Sequence, residues 1–210
     1  MLDASTKYCE QLLNVSIEPF NVVSSLAFVF FAFLALYKFR KESSIKKFTL
    51  SFLLALVGLG SVWWHVGHTA GGDMADTLFI IVFASAIGIL LLYKLLESTL
   101  KVILTFVPLL VFTLSAEQLP HLNGSMPYVV LLGGLMAFGF LFVKKFPESK
   151  AQIIISVCTF GLAILFRSFD MELCSQVVIG THFLWHIFVA LLGYQLVLLV
   201  MNKYSKTSMI

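Results

Sequence analysis

Apolar residues run along this chain in long blocks, interrupted by short polar or basic stretches. Seven blocks stand out, at about residues 21–39, 48–69, 74–96, 100–115, 126–143, 152–166 and 176–201. Most approach or exceed the roughly 20 residues that a helix, rising about 1.5 Å per residue, needs to cross a hydrocarbon layer. The fourth and sixth blocks are the shortest. Alternation with period two is absent, which argues against a lipid-exposed β-barrel. The pattern predicts an all-α integral membrane protein, a bundle of seven transmembrane helices. No low-complexity segment or internal repeat divides it, so residues 1–210 are read as one domain.

Composition agrees. Of 210 residues, 60% are hydrophobic and 12% charged, with a mean hydropathy of +0.98. Soluble domains are near half apolar and a quarter charged, so a soluble enzyme is excluded. The first residues, Met1 to Glu10, are polar and lack a basic stretch ahead of an apolar one, so no secretory leader is expected. The net charge of +3 gives no pointer to nucleic acid, and the partner expected is a membrane lipid.

Where the charges sit matters more. Lys38, Arg40, Lys41, Lys46 and Lys47 follow the first block, and Lys94 and Lys101 separate the third from the fourth. Lys144, Lys145 and Lys150 follow the fifth, and Lys203 and Lys206 close the chain. With seven spans all of these fall on one side, leaving Lys7 and Arg167 on the other. Cytoplasmic loops are the lysine- and arginine-rich ones, so the N-terminus is expected outside and the C-terminus in the cytoplasm.

Against this apolar background, polar groups inside spans demand an explanation, because each is costly in lipid without a partner. His182 and His186 lie four residues apart, hence on one helix face. At ~1.5 Å per residue they are expected ~9 and ~15 Å below the start of the seventh span. His65 lies about 7 Å below the outer end of the second span, and Asp76 about 5 Å below that of the third. Ser61 sits one turn deeper than His65 on the same face. Three imidazoles with a vacant fourth place are the ligand set of catalytic rather than structural zinc, which lowers the pKa of water to about 7. Asp76 would then handle protons and Ser61 would donate to a developing oxyanion.

Plainer roles compete with these. Asp73 reads as a helix N-cap, and Asp76 in a first turn also suits the helix dipole. Ser61 could bond back to its own helix, as serines in membrane helices do. Gly71-Gly72 supplies the freedom for a tight reversal between the second and third spans. His68 is expected to meet interfacial water, and His121 belongs to a polar outer loop. Trp63, Trp64 and Trp185 suit an interfacial aromatic belt, and the Phe and Leu stripes suit lipid contact or packing. Cys158, within the sixth block, reads as an inert apolar residue. Cys9 and Cys174 lie on the same outer side, where oxidation is possible, which motivates a disulfide between them.

Taken in order, Tyr8-Cys9-Glu10, Glu18-Pro19-Phe20-Asn21, Ser61-x3-His65, Asp76, Arg167-x2-Asp170-x3-Cys174 and His182-x3-His186 resemble the alkaline ceramidases. These belong to a superfamily of seven-helix membrane hydrolases that also includes the progestin and adiponectin receptors. The resemblance implies zinc held by His65, His182 and His186, with Ser61 and Asp76 assisting hydrolysis of a lipid amide such as ceramide to a fatty acid and a sphingoid-like amine. It also implies that Cys9 and Cys174 pair. Alkaline ceramidases carry a calcium site near the N-terminus, opened by an acidic residue where this chain has Lys7. Glu10 and Glu18, joined by Asp170, are the remaining candidates, and with Lys7 there calcium is not expected.

Three rivals stay open on the sequence. A receptor-like member of the superfamily would keep structural zinc without turnover. A haem protein would use histidines as axial ligands, but these must face each other across a macrocycle, which an i,i+4 pair alone does not provide. A transporter would need charged groups through the inner half of the membrane, where this chain has none.

Overall fold

The computed structural model describes residues 8–13, 17–119 and 122–204; Lys7, His121 and Lys206 lie outside the described residues. The helices are α1 (Pro19–Lys38), α2 (Ile45–Gly67), α3 (Ala70–Leu96), α4 (Thr99–Ala116), α5 (Met126–Lys145), α6 (Lys150–Ser168) and α7 (His182–Met201). Single 3-10 turns occur at Cys9–Leu13, Leu122–Gly124 and Pro147–Ser149. The described residues contain no strand. All seven helices are long and apolar enough to cross a membrane.

Local chemistry explains the ends that matter. Pro19 opens α1 at a position where its missing N–H is no loss. The free N–H groups of Phe20 and Asn21 are taken by the Glu10 carboxylate at 2.8 and 3.0 Å. α2 stops at His68, which adopts the left-handed conformation (φ 46°) and returns its N–H to the Trp64 carbonyl.

Two boundaries correct the sequence reading. α3 begins four residues earlier than its apolar block, because the Thr69 hydroxyl caps it by accepting from Gly72 N at 3.1 Å. Asp73 is therefore not the cap but a first-turn residue, and the reversal falls at His68 rather than at Gly71-Gly72. Gly72 serves close packing instead: a Cβ there would stand 3.0 Å from the Trp64 Cα.

α7 begins six residues later than its block, at His182. Residues 171–181 are turns and irregular chain. Asp170 Oδ1 accepts from Thr181 N at 2.6 Å and His182 N at 2.8 Å, so the cap comes from the end of α6 rather than from the preceding residue. Gly180 is left-handed (φ 70°), and a Cβ on it would lie 2.5 Å from the Cys9 Cβ. His182 and His186 thus occupy the first and second turns of their helix, shallower than the depths expected.

Packing centres on α1, α2 and α7, with α3 against α2 and α6 against α7. α1 buries Asn21, Ser24, Ser25, Phe28, Ala32 and Ala35, one stripe at helical spacing. Phe30, Phe33, Phe52 and Phe112 point outward, as a lipid-facing surface requires. Small residues bring backbones close: a Cβ on Gly60 of α2 would stand 2.9 Å from the Ala75 carbonyl oxygen of α3.

Candidate metal centre and its cavity

The starts of α1, α3 and α7 and the ends of α2 and α6 meet at one end of the bundle. His65 reaches the centre from the last turn of α2, and His182 and His186 from successive turns of α7. One nitrogen from each ring lies within 4.8 Å of the others, and all three residues are buried. Ring centroids are 5.5 Å (His65–His182), 4.9 Å (His65–His186) and 4.6 Å (His182–His186) apart. Such spacing leaves no room for a macrocycle between imidazoles, which removes the haem alternative for this cluster.

The remaining ring atoms show what the cluster suits. His65 Nδ1 donates to Glu18 Oε2 at 2.8 Å, while its Nε2 is buried with no hydrogen-bond partner. A histidine that gives one N–H to a carboxylate and leaves its other nitrogen bare is oriented as a metal ligand. His186 Nδ1 pairs with Ser24 Oγ at 2.8 Å. His182 stacks on the Tyr8 ring at 3.8 Å between centroids, and its Nδ1 has no partner. Three converging neutral nitrogens, each steadied from outside, fit a divalent metal ion with one coordination place to spare.

Glu18 is the residue that sequence reading assigned elsewhere. Besides His65 it accepts from Asn21 Nδ2 at 2.6 Å, from Gln11 Nε2 at 2.9 Å and from His68 Nε2. Burial works to raise its carboxyl, but these hydrogen bonds, led by that of His65, outweigh it and hold Glu18 at about 2. His68 is accordingly drawn inward rather than left to interfacial water. Glu10 is raised by burial, with the Phe20 and Asn21 N–H groups opposing. Burial likewise raises the Tyr8 phenol against the pull of Arg167.

The calcium candidates do other work. Both oxygens of Glu10, Glu18 and Asp170 accept from donors of this chain; Asp170 Oδ2 takes Cys9 N at 2.8 Å. Calcium needs six to eight converging oxygens. Glu10 and Glu18 meet at Asn21 at the start of α1, while Asp170 lies apart at the start of α7, so the three do not converge on one point.

Beside the histidines opens a largely apolar cavity of about 610 Å³. Ser61, Asp76, His182 and His186 line its polar end together with Tyr8 and Arg167. Ser61 Oγ is 3.0 Å from Ser25 Oγ and 3.4 Å from His186 Nε2. The structure therefore brings together all five residues singled out from the sequence: His65, His182, His186, Ser61 and Asp76. From Asp76 the wall continues along α3 to Leu95, a run of roughly 28 Å at ~1.5 Å per residue. Trp64 and Trp185 are buried in the bundle rather than interfacial, with Trp185 on the cavity wall; Trp63 is exposed as expected.

A disulfide joins Cys9 to Cys174, with Cα atoms 5.5 Å apart. It holds the segment bearing Tyr8 and Glu10 against the approach to α7. Cys158 is the free cysteine, in α6 and exposed.

The sequence model of the family described as Ceramidase matches residues 2–209. The chain belongs to the ceramidase family. Membership makes it a ceramidase-like hydrolase, in keeping with a buried metal centre beside an apolar cavity. No curated protein and no solved structure matches this family member.

Proposed function

We propose that the chain is a zinc-dependent membrane amidohydrolase that cleaves the N-acyl bond of ceramide or a related lipid, releasing a fatty acid and a sphingoid-like amine. The observation that supports it most is three buried imidazoles meeting at the polar end of a cavity long enough for an acyl chain, with Asp76 and Ser61 on its wall.

His65, His182 and His186 would hold the zinc, which supplies Lewis-acid polarisation of a carbonyl and lowers the pKa of water to about 7. The acyl chain lies in the apolar run toward Leu95 and keeps bulk water from the reacting carbon. Asp76 takes a proton from the attacking water as the new C–O bond forms. Ser61 donates its hydroxyl to the carbonyl oxygen as negative charge grows there. Asp76 then returns the proton to nitrogen as the C–N bond breaks. The positive-inside asymmetry supports an N-terminus outside and a site on the non-cytoplasmic half of the membrane. Reagents confined to the cytoplasm that label the Met1 end would reverse that orientation.

The test is metal content and turnover measured together on purified protein. His182→Ala is expected to lose both. Asp76→Asn is expected to retain the metal while turnover drops at least ~100-fold, the usual scale for a lost general base. A His182→Ala protein that stays active without metal ends this reading. Metal-loaded wild type with no turnover on any N-acyl lipid would favour the receptor-like alternative.

A further inference from the structure

Ser25, on α1, is buried, and its hydroxyl meets three other polar groups. Its Oγ lies 2.6 Å from the Asn21 carbonyl oxygen one turn back, 3.0 Å from Ser61 Oγ and 3.4 Å from His186 Nδ1. Helix packing brings it there. Gly58 precedes Ser61 by three residues on α2, and a Cβ on it would stand 2.7 Å from the Ser25 carbonyl oxygen. Without a side chain at that point the two helix backbones close up until the serines meet. Among the described residues Ser61 lines the cavity and Ser25 does not, so Ser25 acts on a substrate only through Ser61.

Serines in membrane helices commonly bond back to their own helix, and the Asn21 contact is of that kind. A hydroxyl has one proton and two acceptor sites, however, so the placement of that proton decides what Ser25 does. With it on the Asn21 carbonyl, Ser25 Oγ is an acceptor and draws the Ser61 proton away from the cavity. With it on Ser61 Oγ, the Ser61 proton points into the cavity, where Asp76 is its neighbour. The second arrangement strands no group. Ser24 Oγ donates to the same Asn21 oxygen at 3.1 Å, and His186 Nδ1 keeps Ser24 Oγ as its partner at 2.8 Å. Hydrogen bonds in series polarise one another, so a hydroxyl that accepts a proton becomes the stronger donor.

Building on the hydrolase reading, we infer that Ser25 is a positioning residue for the oxyanion: it donates to Ser61 Oγ while Ser61 donates to the carbonyl oxygen of the substrate. As charge grows on that oxygen, the Ser61 proton turns toward it and the Ser25 proton turns from the Asn21 carbonyl to Ser61 Oγ. Each proton stays on its own serine throughout, and only hydrogen bonds are exchanged.

The experiment is a double-mutant cycle on the purified, metal-loaded full chain, with Ser25→Ala, Ser61→Ala and both together set against wild type. Zinc content, kcat and KM are measured with ceramide. Ser25→Ala is expected to keep the metal and the KM while kcat falls about 3- to 10-fold, the worth of one hydrogen bond. It should cost nothing further once Ser61 is alanine. Ser25→Cys keeps a weak donor and should fall between serine and alanine; it carries the test alone if the alanine variant does not fold. An equal loss in both backgrounds makes Ser25 a packing residue, and a loss of zinc makes it a support of His186. Either result overturns the inference, as does an undiminished kcat in Ser25→Ala.

Binding is scored separately from turnover, with methyl hexadecylphosphonate, a tetrahedral monoanion, against its neutral dimethyl ester. The advantage of the anion should shrink about 3- to 10-fold in Ser25→Ala, and only while Ser61 is present. If wild type hydrolyses no N-acyl lipid, the hydrolase reading falls and this ratio alone decides the place of Ser25. Turnover together with a ratio indifferent to Ser25 keeps the hydrolase and sinks this inference.

Discussion

Each imidazole of the centre is steadied by a neighbour outside the three-histidine set. His65 is aimed by Glu18, His186 by Ser24 and His182 by the Tyr8 ring. Such supporting contacts are typically worth 10- to 100-fold in metal affinity. Glu18→Gln should therefore weaken zinc binding by about that factor while leaving the chain folded, measured by competition with a chelator of known affinity. Unchanged affinity would mean that His65 is positioned by helix packing alone. At this scale the candidate ligands were readable in the sequence, since His182 and His186 carry their geometry in their spacing and charged or basic groups are rare in spans. Their supports were not. Glu18 and His65 are 47 residues apart, and nothing in the local pattern of either distinguishes this pairing from a calcium ligand or a surface carboxylate.

α7 shows how an element can be right in kind and wrong in extent. Its apolar block starts near residue 176, but the helix starts at His182 because Asp170 takes the first free N–H groups and Gly180 turns the chain left-handed. Hydropathy does not register either cause, as apolar residues serve equally in a turn packed against protein and in a helix. The consequence is functional: the cap sets the rotation of α7 and so the direction of His182 and His186. Asp170→Ala leaves three buried N–H donors, those of Cys9, Thr181 and His182, without their acceptor. A loss of about 2–4 kcal/mol is expected, together with weaker metal binding. Thermal unfolding in detergent, with and without added zinc, checks it; a melting temperature equal to wild type would assign the start of α7 to other contacts.

On the scale of the whole molecule, the Cys9–Cys174 bond spans 165 residues and ties the chain's beginning to the approach to its last helix. Cross-links closing long loops stabilise chiefly by restricting the unfolded chain. Cys9→Ser is expected to cost about 2–5 kcal/mol, seen as a lower midpoint in thermal or denaturant unfolding. Titration of the denatured, unreduced wild type should find one free thiol, that of Cys158; finding three would remove the bond and this argument with it.

Hydropathy and residue spacing by themselves determined seven apolar helices and singled out His65, His182, His186, Ser61 and Asp76 as candidates, because lipid permits few backbone solutions and penalises every polar side chain without a task. Only the tertiary structure decided that Glu18 serves a histidine, that Asp170 starts α7, and that Thr69 rather than Asp73 caps α3. Those assignments depend on which helix ends meet. That is a property of packing between segments far apart in the chain, on which local periodicity carries no information.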